Sequence, residues 1–191
     1  ILVKHGVHER TGSTTGIGLL EKYEGKTVFQ HLIENGYTHN ISISGMTEDE
    51  WENDRIMMGE KYSSRQRNIG NDDLRRLATI AKANGVQLRN STNLLAGFVD
   101  TYQKMLHFVD FQYKNGIESC LFRELEGKMQ KMAAPIAWIA EAVRSSKDFA
   151  YIKTVHGMFY DIELYLYTSH VTGMTYIVKV YTNHVVDADV I

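Results

Sequence analysis

The chain of 191 residues carries 21 Lys+Arg against 23 Asp+Glu, 43% hydrophobic residues, one Cys and one Pro. These values exclude wholesale disorder, a uniformly basic nucleic-acid coat and an acidic tail, and the length suits one domain over residues 1–191. Cys120 has no second cysteine to pair with, so we expect a cytoplasmic or otherwise intracellular protein. No apolar run reaches the roughly 18 residues that a membrane span needs, and no membrane partner is expected. The start Ile1-Leu2-Val3-Lys4-His5 lacks both a signal-peptide pattern and Met, which points to a processed or trimmed chain.

In chain order, residues 1–7 alternate through Ile1, Val3, His5 and Val7 and predict a short strand. A Gly/Thr/Ser loop over 11–16 follows, then a helix over 26–35 stopped by Gly36, and a second strand over 38–44. Thr47 followed by Glu50 reads as a capping box for a helix running toward Lys61. Asn71 caps a further helix with Leu74, Leu77, Ile80 and Ala81 on one face and Gly85 as its stop. Over 92–114, Leu95, Phe98, Val99, Tyr102, Leu106, Val109 and Tyr113 form a helical stripe opposite Asp100, Lys104, His107 and Asp110. Two more helices are expected at about 117–132 and 135–145, the second opened by Pro135, whose missing amide costs nothing there.

After Ser146 the period becomes two. Met158, Tyr160, Ile162, Leu164 and Leu166 alternate with Phe159, Asp161, Glu163, Tyr165 and Tyr167. Past a turn at 169–173, Met174, Tyr176, Val178 and Val180 alternate with Thr175, Ile177, Lys179 and Tyr181. The expected fold class is therefore α+β: about five helices packed on an antiparallel sheet with a C-terminal β-hairpin or meander, which residues 149–155 would extend.

Three kinds of function remain open. Tyr165, Tyr167 and Tyr181 are expected on the sheet face opposite the aliphatic one, and so much aromatic surface suits a contact with another copy or a protein partner. That makes a non-catalytic interaction or self-assembling protein the first reading. The second is nucleic-acid binding. Residues 55–89 hold eight bases against three acids, and Arg65, Arg67, Arg75, Arg76 and Arg89 would meet phosphates. Residues 77–97 resemble a helix-turn-helix segment, with Ala81 at the crossing, Gly85 in the turn and Val86 and Leu94 buried; Ser91 departs from that pattern.

The third reading is a metal-dependent phosphodiester hydrolase. Asp161 and Glu163 on one strand and Lys179 on the next would hold a Mg²⁺ ion and support a nucleophilic water, although Ile177 stands where a further acid is needed. His5, His8 and Glu9 are weaker metal-ligand candidates, and His39, His156, His170 and His184 lie near strand ends or turns. Residues 11–18 (Thr-Gly-Ser-Thr-Thr-Gly-Ile-Gly) resemble the nucleotide loop of short-chain dehydrogenases, which implies an anion at the loop. The chain has no Tyr-x-x-x-Lys pair, so no cofactor is expected.

Overall fold

The structure is a computed structural model that describes residues 11–37, 39–58, 69–183 and 185–191. The strand expected over 1–7 lies outside them. The chain divides into two compact units, Ile1–Asn90 with Lys114–Glu118, and Ser91–Tyr113 with Ser119–Ile191.

The first unit holds β1 (Thr11–Thr14), β2 (Lys22–Tyr23), β3 (Lys26–Thr27), α1 (Val28–Glu34), β4 (Asn40–Ser44), α2 (Glu50–Met58) and α3 (Asn71–Ala83). The Thr-Gly-Ser-Thr segment expected as a loop is a strand, because β1 pairs in parallel with β4, Thr11 opposite Asn40 and Thr14 opposite Ile43. Thr27 begins α1 with a reciprocal capping box. The Gln30 amide donates to Thr27 Oγ1 at 3.1 Å while the Thr27 amide donates to Gln30 Oε1 at 2.9 Å. The box expected at Thr47 and Glu50 does not form. Asp49 Oδ1 accepts the Glu52 amide at 2.8 Å, and Glu50 Oε1 accepts the amide of Asn71, the first residue of α3, at 2.6 Å. Gly70 has no side chain for that task, so a carboxylate from another helix caps α3.

The apolar side of α3, Leu74, Leu77, Ala78 and Ala81, packs with Phe29, Ile41, Ile43, Ile69, Val86, Leu88 and Ile117. Gly116 permits a close approach here: a Cβ at this left-handed position (φ +83°) would stand 2.9 Å from the Ala78 Cβ.

β5 (Gln87–Leu94) follows α3. The expected 92–114 helix is therefore shorter: α4 covers Tyr102–Lys114, and the helix-turn-helix reading loses its second helix. Leu88, Asn90, Thr92 and Leu94 are the buried positions of β5. Two of the four are polar, which hid the period-two pattern from a reading by hydrophobicity.

The second unit continues with β6 (Ser119–Glu124), a 3-10 helix at Gly127–Met132, α5 (Ile136–Ser145), β7 (Phe149–His156), β8 (Asp161–Thr168), β9 (Thr175–Tyr181) and β10 (Val185–Val190). The helix expected at 117–132 is thus a strand and a 3-10 turn, whereas the helix after Pro135 and the three-stranded meander stand. Eight strands form one mixed sheet in the order β1-β4-β5-β6-β10-β9-β8-β7, and β2-β3 is a separate two-stranded ribbon. The fold is α+β, but the sheet is mixed rather than antiparallel, because β1 and β4 run parallel.

In the second unit, α4 contributes Met105, Leu106, Phe108 and Val109 to the core, and α5 contributes Ile136, Ile139, Ala140 and Val143. The sheet contributes Cys120, Phe122, Phe149, Tyr165, Tyr167, Tyr176, Val178, Val180, Val186 and Ala188. Direct cross-strand partners share a face: Tyr165 is opposite Val178, Tyr167 is opposite Tyr176, and Val186 is opposite both Val180 and Phe122. One face of this sheet is therefore packed under the two helices.

Candidate interaction surface

The register of β8 on β9 decides where each candidate residue points. Glu163 is opposite Val180 and Leu164 is opposite Lys179. The expectation that Tyr165, Tyr167 and Tyr181 share a face, and that Asp161, Glu163 and Lys179 do, requires a register one residue out of phase with this one. Because side chains alternate with period two, that slip exchanges the faces of one whole strand. Tyr165 and Tyr167 accordingly sit in the helix-covered core, 6% and 7% exposed, and Tyr181 lies on the other face. The three tyrosines do not share a surface.

Burial raises the hydroxyl pKa of both core tyrosines, and a nearby carboxylate reinforces it, Glu163 for Tyr165 and Asp110 for Tyr167. Tyr165 donates to Glu163 Oε2 at 3.2 Å, and Arg144 Nε of α5 donates to the same oxygen at 2.7 Å. Glu163 is thereby engaged in fastening α5 to β8.

The hydrolase grouping does not assemble. Asp161 and Glu163 alternate with Ile162 and Leu164, so they lie on the core side, while Lys179 pairs with Leu164 on the other. Asp161 has His156 Nδ1 at 3.1 Å, and Lys179 bonds to Asp189. Among the described residues no three His, Cys, Asp or Glu side chains gather to hold a metal ion. His5, His8, Glu9 and His184 lie outside the described residues.

Three of the five basic candidates, Arg75, Arg76 and Arg89, fall among the described residues. Arg65 and Arg67 lie outside the described residues. Arg75 bonds to Asp72 and to Asn115 Oδ1, Arg76 stands 3.5 Å from Asp73, and Arg89 is half-buried on β5. The acids of the first turn of α3 thus offset both of its arginines. The Gly16–Gly18 loop borders a cavity of about 330 Å³ whose lining includes Glu21 and Asp73, and a neighbouring cavity of about 260 Å³ includes Glu50, Asp54, Asp72 and Asp73. A carboxylate-lined hollow is the opposite of an anion cradle.

What the sequence reading missed is the face opposite α4 and α5. Leu121, Ile162, Leu164, Leu166, Ile177, Tyr181 and Val185 all point to it, and none belongs to either core. All seven are intermediate in exposure, and Asp187 and Ser119 on the same face are buried. A polar stripe crosses this face. Tyr181 donates to Asp187 Oδ2 at 3.0 Å, Ser119 donates to Asp189 Oδ1 at 2.5 Å, Lys179 donates to the other Asp189 oxygen, and Arg123 donates to Ser91 Oγ at 3.0 Å.

The apolar surface continues into the β7–β8 turn, where Tyr160 meets Tyr181 edge-on with centroids 5.6 Å apart. Met158 and Phe159 at the tip are 89% and 86% exposed. The turn is closed by the Gly157 amide on the Tyr160 carbonyl at 3.1 Å, and a Cβ at Gly157 would lie 2.5 Å from that oxygen.

No helix among the described residues is long and apolar enough to cross a membrane. No protein-family model, curated protein or solved structure matches the chain.

Proposed function

We propose that this chain is an interaction domain that self-assembles through the face of its C-terminal sheet opposite α4 and α5, with the β7–β8 tip at the margin of the contact. The carrying observation is the one-sided placement of α4 and α5. It leaves five aliphatic residues of β8, β9 and β6 (Ile162, Leu164, Leu166, Ile177 and Leu121), with Tyr181, on a face outside both cores. A sheet face with that much apolar surface is ordinarily packed against another layer. Tyr181 brings a large ring with a polar end, the kind of residue enriched in protein contacts. Met158 and Phe159, on a turn held by its own backbone hydrogen bond, lose little conformational freedom when they are covered.

Analytical ultracentrifugation at micromolar concentration tests the reading. Wild-type protein is expected to sediment as a dimer or larger species. Leu166→Glu is expected to shift it to monomer without lowering the thermal midpoint, because Leu166 lies outside the core. Wild-type protein that remains monomeric across the micromolar range overturns the proposal.

A further inference from the structure

β7 is the last strand in the order of the large sheet, so among the described residues it has a strand neighbour on one side only, β8. An edge of this kind presents a row of backbone N–H and C=O groups with which a strand of another chain can pair. β7 runs for eight residues, Phe149–His156, and its Tyr151, Ile152 and Val155 are 58%, 43% and 40% exposed. Long, apolar and open, it has the features of an edge at which copies of one chain join.

Two features of the strand oppose such joining. The first is a bulge: Tyr151 is opposite Tyr165 and Lys153 is opposite Leu164, which leaves Ile152 as an extra residue. A bulge bends its strand and breaks the even spacing that an incoming strand has to match. The second is Lys153, exposed in the middle of β7, whose other residues include no Arg, Asp or Glu. The bulge also decides where this lysine stands. Regular alternation from Tyr151 would set Lys153 opposite Glu163; the extra residue sets it opposite Leu164, and Glu163 is opposite Thr154. Glu163 is engaged by Arg144 and Tyr165. The charge of β7 is thereby kept off the neighbouring carboxylate that would neutralise it.

We infer that Lys153, presented by the bulge at Ile152, guards the β7 edge against pairing with a second copy of this chain. A mate that lays its own β7 antiparallel along most of the edge brings the two Lys153 ammoniums near each other. Both stand on the same side of the joined sheet, where like charges on neighbouring strands repel. Without that charge, Tyr151, Ile152 and Val155 are left to favour the pairing. The guard acts at the edge of the sheet and does not depend on the sheet-face contact proposed above.

Sedimentation of variants at the exposed Lys153 tests the guard, with circular dichroism verifying that each is folded. Lys153→Val is expected to associate about tenfold more tightly than wild type, and hydrogen exchange is expected to slow at the amides of residues 149–156. Lys153→Arg and Lys153→Glu each keep like charges at the seam and are expected to associate no more tightly than wild type. Leu121→Glu disturbs the sheet face on β6, with β10, β9 and β8 between it and the edge. Added to Lys153→Val, it is expected to leave the edge association in place. Lys153→Val that sediments and exchanges as wild type does overturns the guard, and so does Lys153→Glu that associates as tightly as Lys153→Val. Association of Lys153→Val that Leu121→Glu abolishes belongs to the sheet face and also overturns the guard. Wild-type protein that stays monomeric while Lys153→Val associates through residues 149–156 overturns the sheet-face contact and supports the guard.

Discussion

Ser169, in the turn between β8 and β9, donates its hydroxyl to Asp110 of α4 at 2.7 Å, joining residues 59 apart in the chain. The other Asp110 oxygen accepts from Thr172 Oγ1 and from the Tyr176 hydroxyl, both at 3.2 Å. Asp110 is 3% exposed, so a helix carboxylate with three hydroxyl donors clamps the turn of the meander to the layer above it. The same Ser169 hydroxyl oxygen accepts the amides of Val171 and Thr172 at 3.1 Å each, so the turn and its anchor form a single network.

Removing the anchor leaves buried hydroxyls without their acceptor. Asp110→Ala is expected to destabilise the fold by about 2–4 kcal/mol, measured by guanidinium denaturation. Asp110→Asn keeps one acceptor oxygen and is expected to lose less. A loss below about 0.5 kcal/mol for Asp110→Ala, the range of an ordinary surface change, would show that the clamp holds nothing.

Alkaline pH is expected to weaken the second unit. The hydroxyl pKa of Tyr176 stands well above its usual value of about 10, first because the group is buried and then because Asp110 lies beside it, while the hydrogen bond with Thr172 opposes the shift. Tyr165 and Tyr167 shift the same way. Below about pH 10 folded and unfolded chains both keep these protons, and pH has no effect through them. Above it the unfolded chain releases them first, so stability falls as pH rises through the folded-state values. Thermal melts at rising alkaline pH are expected to show this decline, and Tyr176→Phe is expected to make it shallower. An unchanged slope in Tyr176→Phe would rule out Tyr176 as a contributor.

Glu50 is expected to matter to a helix other than its own. Its carboxylate caps the Asn71 amide of α3, so Glu50→Ala is expected to cost about 1 kcal/mol. Thr47 reaches only the Asp49 amide at 3.4 Å, and Thr47→Ala is expected to be nearly silent. Urea denaturation of the two variants decides, and the reverse ranking would restore the capping box that the sequence suggested.

The candidate interface was legible only in part. The tyrosine-rich C-terminal strands are plain from their period of two, and Tyr181 does stand on the face opposite α4 and α5. Tyr165 and Tyr167 do not, because alternation within each strand says nothing about its phase against the next. Phase comes from the turn at 169–173 and from the Asp110 clamp, which is contributed by a distant helix. The polar stripe was equally hidden, since Asp187 and Asp189 belong to β10, a strand whose short Val-Val-Asp-Ala-Asp-Val run carries little hydrophobic pattern.

What the amino-acid sequence determined by itself is local. It settled α3 with its apolar side and Gly85 stop, the helix after Pro135, and the strands of the meander, because periodicity and backbone preference act within a few residues. What the tertiary structure alone decided is every relation between distant segments. β5 is a strand although Asn90 and Thr92 occupy its buried positions, since edge-to-edge pairing supplies the backbone hydrogen bonds that local pattern cannot reveal. Glu50 caps α3 across 21 residues, and Lys179 stands back-to-back with Glu163 instead of beside it. A contact between distant residues depends on register and packing, and these exist only once the layers meet.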